Sequence, residues 1–113
     1  MIRLVSLFSL LFLVSCIPEE ERLQNLFDDH WEYSLSENPL FATNQGDHRF
    51  NDSLPETGLD AEQRRYEQAR EFLVRLDHVN RDELDEASKL NYDIFKIQLE
   101  NEIRAYELND QLL

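Results

Sequence analysis

The segment from Asp85 to Asn109 constrains the fold most, because helical periodicity places its apolar side chains on two opposite sides of one helix. Burying both sides requires packing partners on both, and we expect the rest of this chain to cover only one of them. One side is an aliphatic stripe made of Ala87, Leu90, Ile94, Ile97, Ala105 and Leu108. The other is an aromatic stripe made of Tyr92, Phe95, Leu99, Ile103 and Tyr106. Between them runs a charged seam made of Lys89, Asp93, Lys96, Glu100, Arg104 and Glu107.

The N-terminus has the organisation of an export signal. A single early positive charge, Arg3, precedes an apolar run from Leu4 to Val14. This run is too short for a bilayer-spanning helix, which needs about 20 residues. We therefore interpret residues 1–15 as a signal helix that is removed on export, and residues 16–113 as the mature chain.

The end of this segment, Leu13-Val14-Ser15-Cys16, resembles the lipobox of bacterial lipoprotein precursors. The resemblance implies cleavage before Cys16, diacylglycerol on its thiol and acylation of the new amino group, with palmitate as a typical chain. The alternative is an ordinary secretory signal that happens to be followed by a cysteine. Cys16 is the only cysteine, so no disulfide can form within the chain. Ile17, where an aspartate would favour the inner membrane, indicates the outer membrane facing the periplasm.

The charge of the chain excludes one large class of partner. There are 24 acidic and 11 basic residues, a net charge of −13, and removal of Arg3 with the signal makes the mature chain more negative. Such a chain is repelled by phosphate backbones and by anionic lipid headgroups. We expect no nucleic-acid partner, and we expect membrane attachment through the lipid on Cys16 alone.

Apolar spacing predicts an all-α mature chain of three helices, at about 19–37, 61–77 and 85–109. Asn38-Pro39 should end the first helix, because the residue before proline avoids helical geometry. Asp60, with Gln63 three residues on, predicts a capping box for the second helix, and Asp85 an N-cap for the third. Arginines on the second helix should face the acid-rich first and third helices and favour antiparallel packing. Residues 38–59 should form one long ordered loop, because they include Leu40, Phe41, Phe50 and Leu54.

Several short stretches together resemble the start of a bacterial family catalogued as domain of unknown function 885. They are Trp31-Glu32-Tyr33, Asn38-Pro39-Leu40-Phe41-Ala42-Thr43, Gly46-Asp47-His48-Arg49, Asn51-Asp52-Ser53-Leu54-Pro55, Leu90-Asn91-Tyr92-Asp93-Ile94-Phe95 and Gln98-Leu99-Glu100. The resemblance implies a longer helical lipoprotein similar to zinc metallopeptidases, with a His-Glu-x-x-His motif far downstream. That motif does not occur in these 113 residues, so no zinc ligand can be assigned here.

Three histidines are the remaining candidates for chemistry. His30 lies on the apolar stripe of the first helix, where a core or cleft-lining role is more typical than metal binding. Asp47-His48 has the residue types of an acid–imidazole pair, but neighbouring side chains rarely point the same way, and aspartate also forms turns. His78 ends the second helix, where positive charge is favourable. We therefore expect no catalytic, cofactor-binding or metal residues in this chain.

Three functional hypotheses remain. In the first, the chain is the non-catalytic N-terminal part of a metallopeptidase-like lipoprotein, an interpretation favoured by an end with neither glycine cap nor proline stop. In the second, it is a small envelope lipoprotein that binds another protein as a helical module. In the third, it self-associates into a homodimer. In the first two, the missing C-terminal region or the other envelope protein is expected to pack against the aromatic stripe.

Overall fold

The computed structural model describes residues 16–110, so the predicted signal segment 1–15 lies outside the described residues. Within that range the chain is all-α, and the predicted fold class is confirmed. The three predicted long helices are present, with bounds within two residues of those expected. The elements are α1 (Glu19–Glu37), α2 (Pro39–Asn44), α3 (Leu59–Asp77), a 3₁₀ turn (Arg81–Glu83) and α4 (Glu86–Asp110).

Helices α1 and α3 run antiparallel, and ion pairs mark their register. Near the end of α1, the Glu37 carboxylate accepts from the Arg65 guanidinium at 2.9 Å. Earlier in α1, Asp29 pairs with Arg75, near the end of α3, at 2.6 Å. The arginines of α3 thus face acidic residues of α1, as the sequence predicts. The first pair is partly buried and the second is solvent-exposed, and an exposed pair contributes little stability. Their order along the two helices shows that the helices run in opposite directions.

Helix α4 runs antiparallel to α3 and parallel to α1. The rings of Tyr66 and Tyr106 stack at 4.4 Å, while Asp77 accepts from Lys96 at 3.1 Å. At the start of α4, the Asp85 amide donates to the Glu20 carboxylate of α1 at 3.2 Å. The three long helices therefore form an up-down-up bundle.

The core lies between these three helices and includes the aromatic stripe of α4. Leu99 has no exposed surface, and Phe95 meets Phe27 of α1 edge-to-face at 5.2 Å. Ile103 is partly buried against the same cluster. The buried cluster consists of Leu23, Leu26, Ala69, Phe72, Leu76, Val79, Leu84, Tyr92, Phe95 and Leu99.

This burial corrects the expectation that the aromatic stripe faces a partner. The chain does cover only one side of α4, but the covered side is the aromatic stripe and the exposed side is the aliphatic stripe. Aromatic side chains bury more apolar area per residue, which favours placing them inward. The charged seam also fixes the rotation of α4, because Asp93 pairs with Arg81 at 2.6 Å and Lys96 pairs with Asp77 on the α3 side.

The predicted loop at 38–59 is wrong in one part, because it contains the short helix α2. Asn38-Pro39 ends α1 as expected, but it also starts a new helix. The Asn38 side chain accepts from the Phe41 amide at 3.1 Å, and Pro39 occupies the first turn, where its missing N–H costs nothing. Phe41 and Phe50 are half-buried as expected, whereas Leu40 and Leu54 are exposed.

The two predicted N-caps have different outcomes. Asp85 caps α4 as predicted, since its carboxylate accepts from the Ser88 amide at 2.7 Å. The capping box at Asp60 is wrong. Helix α3 begins at Leu59, two residues before the predicted start, because Gly58 takes a φ of +112° that other residues rarely adopt.

Candidate functional site

The aliphatic stripe is the largest continuous apolar feature on the surface of α4. Leu90 is 60% exposed, Ile94 56%, Ile97 57% and Leu108 54%. Ala87 and Ala105 on the same side are exposed as well. From Leu90 to Leu108 the stripe extends about 27 Å along the helix, at 1.5 Å per residue. Contiguous apolar surface of this kind marks an interaction site more often than scattered single residues do.

Polar residues flank the stripe on both sides. One flank is the charged seam, in which Glu100 and Arg104 are exposed and form no ion pair with the other described residues. The opposite flank carries Gln98 and Glu102, joined by a 3.3 Å hydrogen bond. An apolar centre with a polar rim is the composition of a protein–protein interface. The arrangement is therefore suited to bind a second helix along its length.

A cleft of about 440 Å³ opens where α1 and α4 separate above α3, beside α2. His30 forms part of its wall and packs edge-on against Phe72 at 5.1 Å and Phe95 at 4.8 Å. Burial lowers the pKa of His30 below 6.5, an effect opposed by the negative charge of Glu102. At neutral pH this side chain is an uncharged imidazole held among rings, in keeping with the core or cleft-lining role expected of it.

Tyr33 brings the one unusual polar group into this cleft. Its hydroxyl is buried and has no hydrogen-bond partner among the described residues. Burial raises the pKa of Tyr33, and the nearby Glu37 carboxylate raises it further. Glu37 itself is held by Arg64 at 3.1 Å and by Arg65 at 2.9 Å. The cleft thus offers an apolar floor and one buried donor, while its carboxylate is already engaged by two guanidinium groups.

Asp47 and His48 do not form a catalytic pair. The Asp47 carboxylate accepts from the Arg49 amide at 3.0 Å and from its guanidinium at 2.6 Å. These bonds lower the pKa of Asp47 to about 2. The His48 ring instead lies 3.3 Å from the Asn51 side-chain amide. Asp47 has the turn-forming role that its position in the loop indicates.

His78 occupies the C-cap of α3, as its position in the sequence predicts. Its Nδ1 lies 2.7 Å from the Val74 carbonyl oxygen in the last helical turn. A donor at this place satisfies one of the carbonyl groups that a helix end leaves without an intrahelical partner. The structure therefore accounts for His78 as a helix-terminating residue.

Cys16 lies three residues before α1 and is exposed. Within residues 16–110, no helix combines the length and apolarity needed to cross a membrane. In the same range, no three His, Cys, Asp or Glu side chains are grouped to hold a metal ion. Lipidation of Cys16 remains a prediction from the residues that precede it.

Comparison with models of protein families, with curated proteins and with solved structures finds no match. The resemblance to the domain of unknown function 885 family therefore remains a prediction.

Two features of the surface were missed from the sequence. The cleft at Tyr33 has no sequence signature, because it depends on how far α1 and α4 separate. The orientation of α4, in contrast, could have been predicted from the positions of the charged seam. Arg81 lies twelve residues before Asp93, just ahead of the helix, and a pair between them places the seam beside α3.

Proposed function

We propose that this chain is a lipid-anchored, non-catalytic helical module that binds another polypeptide through the aliphatic stripe of α4. The observation that supports this most is the exposure of Leu90, Ile94, Ile97 and Leu108 along one side of the longest helix. All remaining large apolar residues of α4 between Tyr92 and Tyr106 are buried or half-buried. Burying this stripe would remove a continuous row of apolar side chains from water, which is favourable.

The proposed location is the outer membrane, facing the periplasm. Leu13-Val14-Ser15-Cys16 supports lipidation, and Ile17 supports release from the inner membrane. Because α1 starts at Glu19, the bundle would follow its anchor almost directly. The partner would then have to reach a surface held close to the bilayer.

A second candidate is that the bundle is the N-terminal part of a metallopeptidase-like lipoprotein. The stretches that resemble the domain of unknown function 885 family contact one another around α2. The Trp31 ring meets Phe41 at 5.8 Å, Glu32 pairs with Arg49 at 3.0 Å, and Thr43 donates to Asn51 at 2.8 Å. This clustering favours a shared structural role for those stretches. In this candidate the aliphatic stripe packs against the remainder of the parent protein.

The anchoring is tested by labelling the full chain in bacterial cells with a radioactive palmitate. We expect label in the membrane fraction for the natural chain and none for Cys16→Ser. A matched control, Ser15→Ala, keeps a small residue before the cysteine and should retain the label. An unlabelled natural chain would contradict the lipid anchor.

Binding through the stripe is tested with a photo-crosslinking amino acid placed at Ile97 of the same anchored chain. We expect a discrete adduct of higher mass. The control position is Glu71, which is exposed on α3 and lies away from the stripe. Equal crosslinking at both positions, or none at Ile97, would exclude the stripe as a binding surface.

A further inference from the structure

We propose that the polypeptide bound by the aliphatic stripe is a second copy of this chain, packed antiparallel about a two-fold axis near the level of residues 98 and 99. This inference rests on the proposed function, since it names the partner of the same surface. It is drawn from the order of charges in the seam beside the stripe. A second copy carries the same stripe, so the interface would be apolar on both sides.

The charged seam alternates in sign along α4. In order, its residues are Lys89, Asp93, Lys96, Glu100, Arg104 and Glu107. When two helices are related by a two-fold axis perpendicular to them, each flank meets the same flank of the other copy in reverse order. The first residue of the seam then lies opposite the last, the second opposite the fifth, and the third opposite the fourth.

That reversal places unlike charges opposite each other at every position. Lys89 meets Glu107, Asp93 meets Arg104, and Lys96 meets Glu100, each pair occurring twice in the dimer. Opposite charges on the flanks of paired helices select partner and direction. The seam is therefore complementary to its own reversed copy.

A parallel dimer gives no such pairing. When the two-fold axis runs along the helices, the charged seam of one copy faces the opposite flank of the other copy, where Gln98 and Glu102 lie. That flank contains no basic residue between Asn91 and Asn109, so none of the acids in the seam would find a cation. The charge order thus selects the antiparallel arrangement.

The apolar stripe requires the same register. With the axis near residues 98 and 99, Leu90 packs against Leu108 of the other copy, and Ile94 packs against Ala105. The centres given by the charged pairs and by the apolar pairs differ by about one residue, which is about 1.5 Å of helix rise. Asn101, exposed in the middle of the stripe, would lie opposite Ile97 of the other copy near the axis.

Two of the seam residues are free to pair in this way without breaking contacts of the bundle. Glu100 and Arg104 form no ion pair with the described residues of their own chain. Asp93 and Lys96 are held by Arg81 and Asp77, but these exposed groups retain further donor or acceptor capacity. Lys89 is held by Glu86 and Glu107 by the Tyr66 hydroxyl, each at 3.1 Å, and these two groups also retain further donor or acceptor capacity. The proposed charge pairs would therefore add to the contacts of the bundle.

The test is sedimentation equilibrium of residues 16–113 carrying Cys16→Ser, which contain the whole described bundle with its core. We expect a monomer–dimer equilibrium within roughly 1 to 300 µM, the range suited to a small interface. Glu100→Lys places two like-charge pairs in the dimer and should weaken it about tenfold. The control Glu71→Lys makes the same change in net charge on α3 and should not weaken it.

The direction of this effect is diagnostic. Both variants reduce the net negative charge, so general repulsion between acidic chains would predict tighter association for each. A dimer weakened by Glu100→Lys and not by Glu71→Lys supports the seam pairing. Equal effects of the two variants, or a chain that stays monomeric throughout this range, would overturn it.

Cysteine crosslinking tests the direction of the two helices in the same background. A mixture of Leu90→Cys and Leu108→Cys chains should form mixed disulfide dimers under mild oxidation. Either variant alone should form few, because its two thiols would lie more than about 25 Å apart. Efficient dimers from each variant alone indicate a parallel pair and overturn the proposal. A monomer that still gives a crosslink to another protein at Ile97 would refute the self-association and leave the proposed function standing.

Discussion

Leu99 and Ile97 are two residues apart on α4 but lie on opposite sides of it. Replacing each by alanine compares the loss of stability at a core position with that at a surface position. Leu99 is completely buried among the three long helices, whereas more than half of Ile97 is exposed. Truncating a buried leucine to alanine costs about 2 to 5 kcal/mol, because a cavity remains where contacts are lost. Truncating a surface isoleucine in a helix changes stability by only about 0.5 kcal/mol either way, since alanine has the higher helix propensity.

The assay is urea denaturation followed by far-ultraviolet circular dichroism, on residues 16–113 with Cys16→Ser. Dilute protein keeps the chain monomeric, so that dimer dissociation does not enter the measured free energy. With a slope of about 1 to 2 kcal/mol per molar urea, Leu99→Ala should lower the midpoint by more than 1 M. Ile97→Ala should leave it nearly unchanged. Equal losses from the two changes would mean that the aliphatic stripe is also packed, and the assignment of the two faces would be wrong.

Four further predictions follow from individual contacts. His30→Phe should reduce the loss of stability on acidification. Because the pKa of His30 is lowered in the folded chain, protonating it costs stability increasingly as the pH falls below 6.5. Between pH 7.5 and 5, the melting temperature of the natural chain should therefore fall more than that of the variant. Asp93→Asn should remove stability that is present above pH 3.8 and is lost as pH falls through the lowered pKa of the paired carboxyl, so the variant should melt lower at pH 6 and the difference should shrink as the pH is lowered further. Asp85→Ala should lower the urea midpoint through loss of the bond to the Ser88 amide, whereas Asp82→Ala should have a smaller effect. Gly58→Ala should destabilise the start of α3, with faster amide hydrogen exchange at Glu62 and Gln63, because alanine is strained at a φ of +112°.

The helices of this bundle could be predicted because their signals are local. The 3,4 spacing of Leu23, Leu26 and Phe27 defines α1, and Pro39 marks its end. Asp85 caps α4 through a bond that spans only three residues. The two stripes of α4 are likewise visible in the sequence, since both follow from the 3.6-residue period.

The orientation of α4 could not be read from that period, because the period distinguishes two faces without saying which one the rest of the chain covers. That choice depends on the pairs between Asp93 and Arg81 and between Lys96 and Asp77, and on the space available for Phe95 between α1 and α3. Helix α2 was missed for a different reason. Asn38-Pro39 is both a helix stop and a helix start, and six residues give too short a period to recognise.

Because α1 and α4 run parallel, the proposed dimer could attach to a bilayer through its lipids in only one orientation. Glu20 and Asp85 are in contact, so the start of α1, which follows the proposed lipid site at Cys16, lies beside the first turn of α4. In the proposed antiparallel pair, two lipids on Cys16 would lie at opposite ends of an assembly about 37 Å long, the length of one 25-residue helix. Both can enter the same leaflet only when the helices recline along the membrane plane. Such a dimer would lie flat along the membrane, attached at both ends, and would not project from it.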